Sequence, residues 1–327
     1  FNKNTRNLIK TQDVNWPTTI GISAPLINDG EVNNRGVEIS AMWKDKIGRN
    51  VSYYVGGNIS TLRNRLTNIG AANPDGSKPV WTYERTYRYK DLTPYRSAEG
   101  KPLYSYYLLR TDGVFKTDEE AAAYVNANGK RLQPKAKAGD LKFVDIDNDG
   151  EIGEGDYEFR GNAMPKMTYA FSAGFSYKKF SFDFMLQGSY GAKLFNAYKY
   201  TTLNEAVGSF NRSDKILQAL NGPTYAVPRI SMTDDNDNFG RISDWYLESG
   251  SYLRMKNISI SYSFTDLLRK IAFFNSRQST LDLTLSCDNL FTITPYTGID
   301  PEVGGVGFDC GQYPVSRTVS LAVKIKF

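Results

Sequence analysis

The last ten residues, Thr318-Val-Ser-Leu-Ala-Val-Lys-Ile-Lys-Phe327, alternate without a fault. Val319, Leu321, Val323, Ile325 and Phe327 fall on one face, and Thr318, Ser320, Ala322, Lys324 and Lys326 on the other. A period of two is the mark of a β-strand with one apolar and one polar side. The pattern recurs in Met167-Tyr169-Phe171-Ala173-Phe175-Tyr177, interleaved with Thr168, Ala170, Ser172, Gly174 and Ser176. After Lys178-Lys179 come Phe180, Phe182 and Phe184, which makes a hairpin. Ile258-Ile260-Tyr262-Phe264 and Leu281-Leu283-Leu285 supply two more strands.

Soluble strands average about 5 to 6 residues. These run about 9 to 11, the length a tilted barrel strand needs to cross a bilayer. Tyrosines crowd their ends, as at Tyr53-Tyr54, Tyr169, Tyr177, Tyr190, Tyr252 and Tyr262, where interfacial aromatic girdles belong. The expected fold is therefore all-β, a transmembrane antiparallel barrel, with a secreted β-sandwich as the competing class. Counting back from Phe327 at the periplasmic rim places strands at 317–327, 279–292, 251–265, 180–190, 167–177, 50–66 and 36–47. Loops 11–35, 67–166, 197–250 and 293–316 then fall outside. Short turns at 48–49 and 178–179 fall on the opposite side, with 266–278 the one long exception. Only about eight to ten strands can be placed by such rules, and the small lumen-side residues would not fill an eight-stranded barrel. The expectation is a portion of a wider barrel, with the remaining strands absent from 1–327.

Composition removes most other classes. The chain has 327 residues, 40 Lys+Arg against 35 Asp+Glu and a formal charge of +5, too mild an excess to argue for nucleic acid. Mean hydropathy is −0.46, and no run approaches the roughly 18 apolar residues of a membrane helix. There is no His, which excludes Ser-His-Asp and Cys-His catalysis and His-dependent zinc motifs. Cys287 and Cys310 have no metal-ligand spacing. Asp300 and Glu302 are a carboxylate pair, but nothing beside them suggests an acid tuned for glycoside hydrolysis. No catalytic residue is assigned, and the chain is expected not to be an enzyme.

One segment points to a metal. Asp145-Ile-Asp147-Asn-Asp149-Gly150-Glu151-Ile-Gly-Glu-Gly-Asp156 puts oxygen ligands at positions 1, 3 and 5, Gly at 6, a carbonyl at 7 and a carboxylate at 12. That is the spacing of an EF-hand calcium loop. Asp156 replaces the usual bidentate Glu, which leaves Mg2+ open beside Ca2+, and the flanking residues do not read as helices. The candidate ligand set is Asp145, Asp147, Asp149, Glu151 and Asp156, ordering the external excursion 67–166. Thr233-Asp-Asp-Asn-Asp-Asn238 is also acidic but lacks the spacing and reads as a solvated loop.

Eight motifs in order resemble the SusC/RagA-like TonB-dependent transporters of the Bacteroidetes outer membrane. They are Asn34-Arg-Gly36-Val-Glu38, Thr111-Asp-Gly113-Val-Phe115, Gly139-Asp140-Leu-Lys-Phe143, Gly161-Asn-Ala-Met-Pro165-Lys166, Gly250-Ser-Tyr-Leu253-Arg-Met-Lys256-Asn257, Asp288-Asn-Leu-Phe291-Thr292, Tyr296-Thr-Gly298-Ile-Asp300-Pro301-Glu302 and Tyr313-Pro314-Val-Ser-Arg317-Thr318. The resemblance implies a plugged barrel of about 22 strands, its N-terminal plug and remaining strands absent from 1–327. It also implies energy from the TonB-ExbB-ExbD complex through N-terminal regions, and a SusD-like surface lipoprotein over the external loops. The implied cargo is a bulky nutrient, an oligosaccharide or glycan before a peptide. Ser259, Ser261, Ser263, Asp282, Thr284, Lys324 and Lys326 would line the lumen, and the Val319–Phe327 row would meet outer-membrane lipid. Trp245 and Tyr246 would stack on sugar rings or, as the plainer account, pack against the barrel rim or the partner; no substrate-binding residue is assigned. Two other functions compete: a siderophore or metal-chelate receptor without a lid, and a secreted, calcium-stabilised polysaccharide-binding sandwich.

Overall fold

The computed structural model describes residues 1–11, 26–70, 80–87, 90–268, 270–271 and 279–326. Seven long strands form its largest sheet: β1 (Glu38–Ile47), β2 (Val51–Thr61), β3 (Met167–Tyr177), β4 (Phe180–Tyr190), β5 (Tyr252–Ser263), β6 (Thr280–Asp288) and β7 (Thr318–Lys326). Each pairs antiparallel with the next in chain order, and a short strand at Thr292–Ile293 adds to β5. Among the described residues the sheet ends at β1 and β7.

The register carries the alternation across the whole sheet, because residues directly opposite one another share a face. One such row runs Val323, Leu283, Tyr262 and Phe180, then Tyr177, Val51 and Ile47. A second runs Leu321, Leu285, Ile260, Phe182, Phe175 and Tyr53, reaching Asp45 only at the rim by the Gly48–Asn50 turn. Opposite faces carry rows such as Ala322, Thr284, Ser261, Ser181, Ser176, Ser52 and Lys46. Leu321 is 70% exposed and Val319, Val323 and Ile325 are also open. A contiguous apolar face of this size belongs against something other than water. Phe327 lies outside the described residues.

Short turns close one end. Lys178 adopts φ 54° in the two-residue turn between β3 and β4, and Lys179 forms an ion pair with Asp266 in the helical turn Thr265–Leu268. Most of the long 266–278 connection, residues 269 and 272–278, lies outside the described residues.

At the other end the long connections pack on one another. β2 stops at Thr61, earlier than the expected 66, because Arg63–Asn68 leaves the wall to pair with Glu31–Arg35, itself paired with Asn2–Arg6. Within 67–166, a four-stranded sheet orders Tyr157–Asn162, Ser105–Leu109, Lys90–Ser97 and Trp81–Tyr87. A three-stranded sheet joins Lys193–Asn196 to Leu247–Ser249 and, in parallel, to Phe308–Asp309. The main hydrophobic core sits in this head, not in the wall: Leu92, Tyr106, Leu141, Phe143, Phe195, Tyr246 and Phe308 are all buried in it. Phe195 stacks on Phe308 with centroids 5.3 Å apart and on Tyr246 at 4.9 Å. Three loops that are separate in sequence therefore share one core.

Candidate functional site

The site is the mouth of the wall, where strand ends meet the head. A cavity of about 1350 Å³ lies there, bounded by Gly36, Thr61, Lys166 and Gly191 at the strand ends and by Phe159, Asn162, Tyr225 and Leu247 of the head. Its volume exceeds the roughly 300–1,000 Å³ of ordinary small-molecule pockets, so it suits an oligomer better than a single small ligand.

Beside it, a charged clasp ties β5 to the 293–316 loop. The Arg254 guanidinium donates from Nη2 to Asp300 at 2.8 Å and from Nε to Thr292 Oγ1 at 2.7 Å, and pairs through Nη1 with Glu302. Lys256 Nζ reaches the same Glu302 carboxylate at 3.1 Å, and Tyr252 donates to it at 2.7 Å. A β-bulge puts Arg254 there. Opposite β4, Met185 pairs with Asn257 but Leu186 with Met255, so Lys256 is the extra residue and Arg254 lands across from Gln187 on the polar face. Without it Arg254 would fall on the apolar face. Burial alone would raise the Asp300 carboxyl; the Glu302 and Val315 amides and Arg254 hold it below the usual range. The motifs at 250–257 and 296–302, apart in sequence, are thus one unit in space.

A second tie joins 133–143 to 229–238. Buried Asp140 accepts from Arg229 Nε at 3.0 Å and Asn238 Nδ2 at 2.8 Å. Gln133 bonds both Phe143 N and Leu141 O at 2.8 Å, and Asn236 Oδ1 at 3.0 Å. The loop expected to be solvated at 233–238 is so only in part: Thr233, Asp235 and Asp237 are exposed, whereas Asn236 and Asn238 are buried because their amides satisfy backbone groups that the head core removes from water. Asp234 is pushed up to about 6, first by burial, against the Phe239 and Asn238 amides that favour its charge, with Asp237 and Asp140 adding repulsion. Trp245 and Tyr246 are buried too, packed on each other at 4.8 Å within the head core rather than against the rim, and neither ring is open to a sugar.

In the 145–156 segment, Asp145, Asp147 and Asp149 offer carboxylate oxygens within 4.8 Å of one another. Gly150 N donates to Asp145 Oδ2 at 3.0 Å, Asp149 N to Asp147 Oδ1 at 3.2 Å and Glu151 N to Asp149 Oδ1 at 2.9 Å, the bonds that curl the loop inward. Asp145 Oδ1 is buried with no hydrogen-bond partner. The other two candidates point elsewhere. The Glu151 carboxylate pairs with Lys130 at 2.7 Å, and Asp156 accepts from Ile146 N at 2.5 Å and Gly153 N at 2.8 Å. Position 7 needs only its carbonyl, so Glu151 is no obstacle; Asp156 would have to give up a backbone amide to ligate.

On the polar face of the wall, Ser259, Ser261 and Ser263 lie opposite Ser286, Thr284 and Asp282, and Asp282 lies opposite Lys324. Tyr54 donates to Asp183 at 2.8 Å across the same face.

Comparison with known proteins gives the same picture. TonB-dependent receptor P3 of Formosa agariphila is 27% identical over 338 residues, covering 98% of this chain and 31% of the relative. TonB-dependent receptor SusC of Bacteroides thetaiotaomicron is 23% identical over 301 residues, covering 92% and 27%. The chain is similar to the SusC/RagA-type TonB-dependent receptors. The solved RagAB peptide transporter matches this SusC/RagA-like chain with a TM-score of 0.71 at 22% identity, over 100% of this chain and 32% of the solved one. Its open-open state gives 0.72. No family model matches. The SusC/RagA-like chain spans about a third of the length of the relatives it matches. Its fold is that of an all-β barrel wall, and its place is the outer membrane.

Proposed function

We propose that this chain forms part of an outer-membrane importer for a bulky nutrient, an oligosaccharide in preference to a peptide. The observation that carries it is the pairing of an apolar face shared by seven strands, interrupted at the rim by Asp45, with a large, densely packed head that lies at one end only among the described residues. An outward apolar band and long loops on one side are what a transport barrel requires. Its polar inner face and mouth cavity give a solute a wet path, and no bond chemistry is involved. Energy comes through TonB, ExbB and ExbD, acting on parts of the protein beyond this chain, and a SusD-like lipoprotein covers the head. The lipoprotein fits a head too large to be a simple set of turns, and both partners accompany SusC/RagA-like sequences as a kind. Uptake of labelled oligosaccharides by cells with and without the gene tests the reading.

The 145–156 loop is proposed to hold Ca2+, or Mg2+, through Asp145, Asp147 and Asp149 and a backbone carbonyl. The orphaned Asp145 oxygen supports this, since a buried carboxylate oxygen without a donor is costly unless a cation meets it. The ion would offset repulsion among three converging carboxylates and order this part of the head.

A further inference from the structure

The charges around the mouth cavity are not balanced. Its lining holds Arg35, Arg63, Arg160, Lys166 and Lys193 but a single carboxylate, Asp244. Arg160 consumes that carboxylate at 2.7 Å and also pairs with Glu158 at 2.8 Å. The other four cations have no ion-pair partner among the described residues. Several other cations of the head are paired, among them Lys199 with Glu248 at 2.8 Å, Arg229 with Asp140 at 3.0 Å and Arg254 with Asp300 at 2.8 Å. The cavity's excess of positive charge is thus close to the whole chain's excess of +5.

Register sharpens the point. Arg35 and Arg63 are direct partners across the Glu31–Arg35 and Arg63–Asn68 pair. Like charges directly opposite each other in a sheet repel and destabilise it. A bound anion relieves that repulsion, and a walled cavity concentrates the field toward it. The exposed Tyr225 ring faces the same space and offers an apolar surface to the C–H face of a sugar.

We infer that the mouth cavity binds an oligosaccharide carrying carboxylate or sulfate groups, held by Arg35, Arg63, Lys166 and Lys193. This rests on the importer reading and names its substrate class. The test uses the full-length receptor in detergent and calorimetry with four probes: a short oligogalacturonate, a sulfated oligosaccharide, a neutral maltooligosaccharide and oligoglutamate. The wild type binds at least one acidic oligosaccharide, more weakly as salt rises. The double variant Arg63→Gln/Lys193→Gln binds it about tenfold less tightly. Both positions are exposed, so the fold tolerates the change; Arg35→Gln serves as an independent second variant. Binding of neither acidic oligosaccharide, unchanged affinity in both variants, or tighter binding of oligoglutamate than of either would overturn the inference. So would loss of a co-purifying lipoprotein in the variants with glycan affinity intact, since the cations would then serve the partner. Import of the neutral glycan alone would remove this inference and leave the importer standing, whereas import of none by cells carrying the gene removes the importer.

Discussion

Arg254, on a wall strand, donates to Asp300, in an external loop 46 residues away, at 2.8 Å, with its side chain only 3% exposed. The same guanidinium pairs with Glu302, so one cation holds a loop that would otherwise expose two carboxylates to each other. Removing one member of a buried ion pair typically costs about 3–5 kcal/mol, because the remaining charge is stranded. Lys256 stays beside Glu302 and softens that loss. Arg254→Met should therefore destabilise the head by about 3 kcal/mol, read as a lowered urea midpoint for head fluorescence. A change below about 1 kcal/mol, the value of an exposed pair, would show that the clasp does not hold the loop.

On the wall, Leu321 lies on the apolar row and Ser320 on the polar one. Arginine facing lipid near the bilayer midplane costs about 2–4 kcal/mol, and facing the lumen little. Leu321→Arg should cut insertion into lipid vesicles by that amount while Ser320→Arg inserts normally. Equal effects would mean that the two faces are not lipid and lumen.

The acidic loop predicts an ion-dependent head. Chelator should increase hydrogen exchange over 145–156 in the wild type, and Asp147→Asn/Asp149→Asn should show the raised exchange with or without it. Gly155→Ala should mimic the loss, because a β-carbon there would collide with the Asp147 carboxylate. Identical exchange with and without chelator in the wild type rules the ion out.

Asp234 supplies a pH test. Its carboxyl is raised from 3.8 to about 6 in the folded head, chiefly by burial. A raised acid binds its proton more tightly when folded, so its contribution to stability is full below about pH 4 and lost as pH rises through about 6. Wild-type stability relative to Asp234→Asn should fall across that window. A difference that does not change between pH 4 and 7 would show that the side chain is hydrated.

How much of this was legible from sequence depends on the element. The wall strands could be read residue by residue, because lipid on one side and water on the other impose a strict period of two, as in Val319 to Ile325. The head could not. Phe195 and Phe308 stack across 113 positions of chain, and nothing local marks either as a core residue. Asn236 and Asn238 looked solvated because burial of an amide depends on partners, here Gln133, Leu141 and Asp140, about a hundred residues away. Arg254 and Lys256 against Asp300 and Glu302 did carry a signal, two cations and two carboxylates at matching spacing. The bulge that turns Arg254 inward leaves no mark in the alternation. The three converging aspartates were visible from spacing alone; the diversion of Asp156 to two backbone amides was not.

The central claim is energised import through this barrel. Its most direct measurement is uptake of a fluorescent oligosaccharide panel by cells with and without the gene, before and after collapse of the proton-motive force. The account predicts accumulation of at least one oligosaccharide that needs both the gene and the energised membrane. Accumulation that survives deletion or de-energisation, or uptake of a metal chelate and no glycan, would contradict it.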